Sequence, residues 1–593
     1  MAAYLDEIHV ELMLDGLTWT DVTQDVLQGP GIKFAYGIMG NGPLDRVAGT
    51  GKMEFTLRND AGCSGGAAGY YTPGHPSCRS GFGAGIKARL RLVYDGYTFY
   101  KFFGRIGPQG IQLQEGPGMA TMTRVSVLDY MEQLAIHPMY LPALATDKRL
   151  DEVVGLVLDN VPVQPQDTEL NATEDTFEDV FDTVRSTTTA LAEISKATAS
   201  ELGYVYVKRD RSTGEVLTVD GRYARSDDTA YVQAPIPHED RGWLLTETRD
   251  YLLTEAGENL LLEGEMFDVM MNWPVFGTVG GESYLLTEEG GDLLMEDGEE
   301  LVLDEIGLQY YQEPLTGIEV SHGRHLFNEA RYTVYPRYVD ALATTVLASL
   351  NSPIELAANQ TRPNVLMRYR DPTGGAARIS GRDMVTPVAT TDYLMNSKAD
   401  GTGTDMTASL TVTANYGPEG VNYTLQNTSA TTTGFVTKLQ CRGKGIYTYD
   451  PVTLRAEDAA SKLVHGTRVL SMDFRYQKSI LIAAAFADVF LDIYAEPLTV
   501  VDRATFSGNY SPRSMAVFLW VEPGDKIAIW NADAAISGNY FVNGVETVIG
   551  PGGMVRCTWT VQSEVYANIS GMFWTLDTPG NDELGVNTYL GVG

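Results

Sequence analysis

Basic residues, cysteine and histidine are the scarce components of this 593-residue sequence. Lys and Arg number 43 against 77 Asp and Glu, a formal net charge of −34. Binding nucleic acid requires concentrated positive charge, and so does binding an anionic membrane surface, so neither is expected as a bound ligand. The four cysteines (Cys63, Cys78, Cys441, Cys557) are too few and too scattered for a disulfide framework. Long apolar runs are also missing. The most apolar stretch, Ile480 to Phe490, is broken by Asp488 and is too short to span a bilayer. The first residues, Met1-Ala2-Ala3-Tyr4-Leu5-Asp6-Glu7, show neither a basic n-region nor an apolar h-region, so synthesis in a cytoplasm without a secretory signal is expected.

What is present suits packed cores and many short strands. Hydrophobic residues make up 44% and aromatics 10%, with 61 Gly and 32 Tyr, which excludes wholesale disorder. The length implies about three to five domains. From Lys52 to Arg58, Met53, Phe55 and Leu57 alternate with Glu54, Thr56 and Arg58, the mark of a strand with one buried face. A Gly-rich loop from Gly62 to Gly83 leads to a second strand, with Ile86, Ala88, Leu90 and Leu92 on one face and Lys87, Arg89 and Arg91 on the other. Asp95-Gly96 marks a tight hairpin, and the chain returns through Tyr97 to Ile106.

Further on, Ala120 to Leu128 reads as a strand. Asp147 to Asn160 and Ser186 to Leu202 carry helical spacing, and Tyr204–Val207 with Glu215–Val219 forms a hairpin. Residues 243 to 305 hold three copies of one pentamer, Trp243-Leu-Leu-Thr-Glu247, Tyr251-Leu-Leu-Thr-Glu255 and Tyr284-Leu-Leu-Thr-Glu288, which suggest stacked hairpins. Leu244 to Glu305 contains seventeen Asp/Glu and one Arg, nearly half of the chain's excess charge. Thr- and Asn-rich alternating runs from 341 to 434 suggest an inserted β-sandwich. Glu457 to Leu463 and Ile480 to Tyr494 are expected helices, and the close is expected to be all β, with Met515 to Val521 as one of its strands.

Candidate chemistry is sparse. Gly62-Cys63-Ser64-Gly65-Gly66 satisfies G-x-S-x-G, but no helix follows to present the serine. Cys63, His75 and Cys78 share one loop. They could hold a metal with Asp60, form a Cys63–Cys78 crosslink, or be buried thiols, and the paired spacing of zinc sites is absent. His322 and His325 fit a polar turn. The carboxylates Glu247, Glu255, Glu263, Glu288, Glu296 and Asp304 recur on like strands, whereas a catalytic pair needs two different environments. No EF-hand spacing is present. No catalytic set and no cofactor are expected.

The line from Asp15-Gly16 to Leu27, the Gly51–Asn59 strand, Tyr71 and Pro73, Gly85 to Gly96 and Phe103-Gly104-Arg105-Ile106 together resemble the first domain of bacteriophage tail-hub (baseplate hub or tail tip) proteins. The run Ser461, His465-Gly466-Thr467-Arg468 and the later Pro523-Gly524-Asp525-Lys526 with its hairpin resemble that family's second tube-like domain. The resemblance implies a mainly β, multidomain (α+β) fold. On that reading two tube-like antiparallel β-domains (1–130; 311–340 with 435–570) accompany a small α+β domain (131–235), while the acidic β-hairpin repeat (236–310) and the β-sandwich (341–434), read from the residue patterns above, are insertions where the family has a short connection, and 571–593 is a C-terminal tail. The resemblance also implies a non-enzymatic virion protein at the tail tip: a homotrimer docked on the tail tube or distal-tail ring, holding the tape-measure protein. Tail fibre or receptor-binding proteins would attach, and genomic DNA would pass without specific binding. Carboxylates facing such a conduit would repel phosphates; facing outward, they would keep the hairpins from pairing edge to edge. The alternative function is a carbohydrate-binding adhesin or receptor-binding tail component, suggested by the Thr/Asn-rich insert.

Overall fold

The computed structural model describes residues 3–225, apart from 116–120, 140–141, 183–187 and 211–213, and residues 315–567, apart from 373, 375–377, 479, 532–533 and 535. It also describes the pairs 283–284, 302–303, 573–574 and 589–590. The fold is mainly β and multidomain, as expected. Its spine is a twelve-stranded sheet that draws strands from both ends of the chain.

Ten of those strands form two groups of five. The first comprises β1 (Ile32–Gly37), β2 (Lys52–Arg58), β3 (Lys87–Tyr94), β4 (Tyr97–Gln114) and β5 (Met122–Leu128). The second comprises β6 (Leu315–His322), β7 (Thr499–Ser507), β8 (Lys526–Asn531), β9 (Ile536–Ile549) and β10 (Val555–Ser563). Within each group the spatial order is first, second, fifth, fourth, third, and every pairing is antiparallel. Both groups therefore follow one path. Strands Glu7–Leu12 and Thr20–Asp21 extend the sheet beyond β3.

The match extends to register. Phe55 faces Val125, which faces Ile111; Ala504 faces Trp559, which faces Val545. Two positions on, Val127 faces Ile106 and Val561 faces Val542. The fourth strand of each group has a register break between those two positions, between Ile106 and Ile111 and between Val542 and Gly544. Entry to the third strand is also shared. Gly85 (φ +83°) donates its N–H to Ile106 O at 2.8 Å, and Ile106 donates to Ile86 O at 3.0 Å. Gly524 (φ +98°) donates to Val542 O at 2.8 Å, and Val542 donates to Asp525 O at 2.9 Å. Glycine meets the positive φ at both places without a Cβ penalty.

One hydrophobic core runs under both groups. It collects Met53, Phe55, Leu57, Val125 and Val127 with Val542, Val545, Trp559 and Val561, and it is covered by Phe486 and Phe490 of the helix Ile480–Tyr494 and Phe518 of the helix Pro512–Trp520. The opposite face of the sheet carries the charged half of each alternation. The helix Pro512–Trp520 replaces the strand expected at Met515 to Val521. Ser511 Oγ accepts from Ser514 N at 2.9 Å and Pro512 sits in the first turn, a start signal that overrides the strand propensity of Val517 and Phe518.

A second core packs the helices Tyr130–Ile136, Leu150–Leu158 and Ala190–Glu201 against the sheet Tyr204–Lys208, Val216–Asp220 and Asp167–Leu170. A third core, including Leu347, Tyr369, Val421, Tyr423 and Leu439, lies between one sheet built around the long strand Gly434–Thr448 and another formed by Thr361–Arg368, Gly420–Asn427 and Leu410–Tyr416. Its strands begin at Arg337–Val339, so this sandwich draws residues from both sides of the expected 341–434. Arg337 Nη2 donates to Asp182 Oδ1 at 3.0 Å and Arg382 Nη1 to Asp179 Oδ1 at 2.9 Å, tying the sandwich to the α+β domain. In the acidic segment, Ser283–Tyr284 pairs antiparallel with Val302–Leu303.

Candidate functional site

The joint between the two groups is the feature that a single domain would not need. β1 pairs antiparallel with β9 from Ile32 opposite Ile549 to Gly37 opposite Gly544. At its end Gly37 takes φ +89°, and a Cβ there would lie 2.6 Å from Asn543 O. Asn543, buried within the register break of β9, is held from three directions. Its O accepts from Ile38 N at 2.8 Å, its Nδ2 donates to Gly40 O at 2.7 Å, and its Oδ1 accepts from Arg225 Nη1 at 2.5 Å.

Beneath the joint a buried polar cluster ties three parts of the chain together. The β4 register break between Tyr100 and Phe102 leaves Lys101 unpaired and turns its ammonium inward, where it meets Glu522 and donates to Leu519 O at 3.2 Å. Glu522 also accepts from Tyr36 Oη at 2.8 Å, 486 positions away in sequence, and from Arg209 N at 3.1 Å. The Arg209 guanidinium lies over the rings of Tyr36 and Phe102 and reaches Asp129 Oδ2 at 3.3 Å. Burial raises the Asp129 carboxyl, with Arg209 opposing. Burial also pushes Glu215 up to about 7, against Arg209, and Asp525 up to about 7, against the hydrogen bond from Glu522 N. Lys101 pairs with Glu522 and Arg209 with Asp129, the condition under which buried ions are tolerated.

On the open face of the sheet, charges of both signs interleave. Lys52 and Arg124 flank Glu54; Arg89 and Arg91 share Glu11; Arg503 meets Glu546. Burial opposes the charge on Glu54, yet its two cations hold its carboxyl below the usual value. Cations paired in this way leave little free positive charge for a phosphate backbone.

The loop candidates do not converge. Cys63 Sγ donates to Ala67 O at 3.3 Å and Cys78 Sγ approaches Arg79 O at 3.6 Å; both thiols are free. His75 Nδ1 accepts from Ser77 N at 3.1 Å within its own turn. Among the described residues, no group of three His, Cys, Asp or Glu side chains is placed to hold a metal. Ser64 of the G-x-S-x-G run donates its Oγ to Asp25 at 2.5 Å, and Tyr71 Oη donates to the same carboxylate at 2.6 Å, so this polar set anchors the loop. Glu247, Glu255, Glu263, Glu288, Glu296 and Asp304 lie outside the described residues. Among the described residues, no helix is long and apolar enough to cross a membrane.

Sequence reasoning did not anticipate the joint or the cluster beneath it, although a faint signal exists. Gly85-Ile86-Lys87 and Gly524-Asp525-Lys526 open the equivalent strands β3 and β8, and Lys87 and Lys526 occupy the same register position. The sequences between the last two strands of each group include Gly116-Pro117-Gly118-Met119 and Gly550-Pro551-Gly552-Gly553-Met554.

No protein-family model and no curated protein matches this chain. Solved structures do. One is the 43 kDa tail protein of prophage MuSo2 from Shewanella oneidensis, with a TM-score of 0.40 and 8% identity over 95% of this chain and 99% of that one. A second is a tail protein from Neisseria meningitidis MC58, with a TM-score of 0.40 and 6% identity over 95% and 98% of the two chains. A third is prophage tail protein gp18 from Listeria monocytogenes EGD-e, with a TM-score of 0.34 and 8% identity over 94% of each chain. All three are tail proteins.

Proposed function

We propose that this protein is a structural, non-enzymatic subunit of a bacteriophage tail, and specifically the hub that closes the distal end of the tail tube. The observation that carries this reading is the doubled five-strand group, joined edge to edge in one sheet over one core. A chain that holds two copies of a wall piece side by side is suited to a ring in which those pieces repeat about an axis. In a homotrimer the ring would be pseudo-sixfold and could seat on the hexameric tube or distal-tail ring. Its other end would hold the tape-measure protein, and fibre or receptor-binding proteins would attach outside. Helices cover one face of the sheet, so the charged face, which carries no helix among the described residues, is the one assigned to the channel, where its paired cations would let DNA pass without adhering.

Native mass spectrometry of the purified chain, alone and with the tail-tube or distal-tail protein, tests the assignment. A trimer that binds the tube end is the expected result; a chain that stays monomeric and ignores the tube contradicts it.

A further inference from the structure

Lys101 and Glu522 lie 421 positions apart in sequence and meet in the interior, 1% and 8% exposed. Their contact is lopsided. The ammonium rests against Oε1 of the carboxylate. The other oxygen, Oε2, accepts two hydrogen bonds, from Tyr36 Oη at 2.8 Å and from Arg209 N at 3.1 Å. Tyr36 Oη also stands 3.0 Å from Oε1. Burial, and next the Glu522 charge, raise the Tyr36 hydroxyl well above its ordinary range, so it keeps its proton and stays a donor. On the amine side, Nζ donates to Leu519 O at 3.2 Å and lies 5.6 Å from the centre of the Phe518 ring. A cavity of about 360 Å³, lined by Lys101 and Glu522 together with Phe99, Leu519 and Trp520, adjoins the pair.

We infer that Lys101 and Glu522 condense to an isopeptide bond, which ties strand β4 of the first group covalently to the turn before β8 of the second. Nζ attacks the Glu522 carboxyl carbon, the bond from that carbon to Oε1 breaks, and Oε1 leaves as water. The pair supplies every atom: of the three protons on Nζ, two depart with Oε1 and one remains on the amide nitrogen. The two charges cancel, and no further reactant is consumed. The reacting forms, a neutral amine and a carboxylic acid, are reached by passing one proton across the existing contact, a transfer that burial favours because it removes both charges. As Nζ adds, negative charge grows on Oε2, where Tyr36 Oη and the Arg209 N–H already point, the arrangement that stabilises a tetrahedral intermediate. Holding amine and carboxyl in contact supplies the effective concentration that free reactants in water lack. The bond forms once and turns nothing over.

The site is already furnished for the product. An amide has one N–H and one carbonyl to satisfy; Leu519 O takes the first, and Tyr36 and Arg209 serve the second. Two buried charges, each costly to desolvate, give way to one neutral group. The released water has the adjoining cavity to enter.

Intact mass spectrometry of the purified, denatured full-length chain, followed by digestion, tests the bond. The expected result is a chain lighter than its sequence by one water, with a branched peptide in which Lys101 is joined to Glu522. Lys101→Arg, which keeps the charge but removes the nucleophile, should stand at full mass. Tyr36→Phe takes one donor from Oε2 and leaves both reacting groups, so it should lower the closed fraction in freshly made protein; an equal fraction overturns the donor arrangement. Wild-type protein at full mass, with Lys101 and Glu522 recovered on separate peptides, overturns the inference. So does a missing water that persists in Lys101→Arg, because the dehydration then lies elsewhere in the chain. None of these readouts depends on how copies of the chain assemble.

Discussion

The residues that matter most lie under the joint, not in any catalytic arrangement. Lys101 and Glu522 come from different halves, and each is buried, so removing one leaves the other's charge unpaired. Lys101→Met is expected to cost about 3–5 kcal/mol of stability, and adding Glu522→Gln should restore part of it, as thermal or denaturant unfolding would show. Loss of less than about 1 kcal/mol in the single variant would contradict the cluster's role. The raised carboxyls give a pH signature. Asp525 titrates near 7 folded and near its ordinary value of 3.8 unfolded, so its contribution is fully present below about pH 4 and is lost as pH rises through about 7. The Tm of the wild type should therefore fall, relative to Asp525→Asn, as pH is raised from about 5 to about 8. Parallel curves would show that Asp525 is not perturbed.

At the scale of single elements, the entry turns to β3 and β8 separate two costs. Gly85 has open space where a Cβ would go, so Gly85→Ala carries only the left-handed backbone penalty of about 1–2 kcal/mol. At Gly524 the same atom would lie 2.1 Å from Tyr206 Oη, so Gly524→Ala should lose clearly more. Equal losses, measured by chemical denaturation, would argue against this difference in surroundings. Strand alternation was legible at Met53, Phe55 and Leu57, as was the Asp95-Gly96 turn, whose φ values are +49° and +74°. These signals are local: a two-residue period and a turn that needs positive φ. The helix Pro512–Trp520 was not legible because its apolar residues are buried consecutively and show no single stripe, leaving only Ser511-Pro512 to announce it. The thiols and imidazole of Cys63, His75 and Cys78 are close in sequence, but each turn spends them on its own backbone.

For the whole molecule, alternation locates strands but carries no information about which distant strand they pair with. The joint of β1 with β9 depends on the Gly37 turn, the Asn543 pin and the Tyr36–Glu522 contact, all made by residues at opposite ends of the chain. The resemblance implied two tube-like domains, but residue identity hardly marks their equivalence: the two groups share topology and register while keeping few identical residues, chiefly the glycine two positions before β3 and β8 and the lysine that opens each strand. Imaging the assembled protein by cryo-electron microscopy puts the central claim to its most direct trial. The account predicts a closed ring in which the Lys52–Leu128 and Thr499–Ser563 regions occupy alternating, superimposable positions at one radius around a channel. A solitary molecule, or a ring that places those regions at different radii, would contradict it.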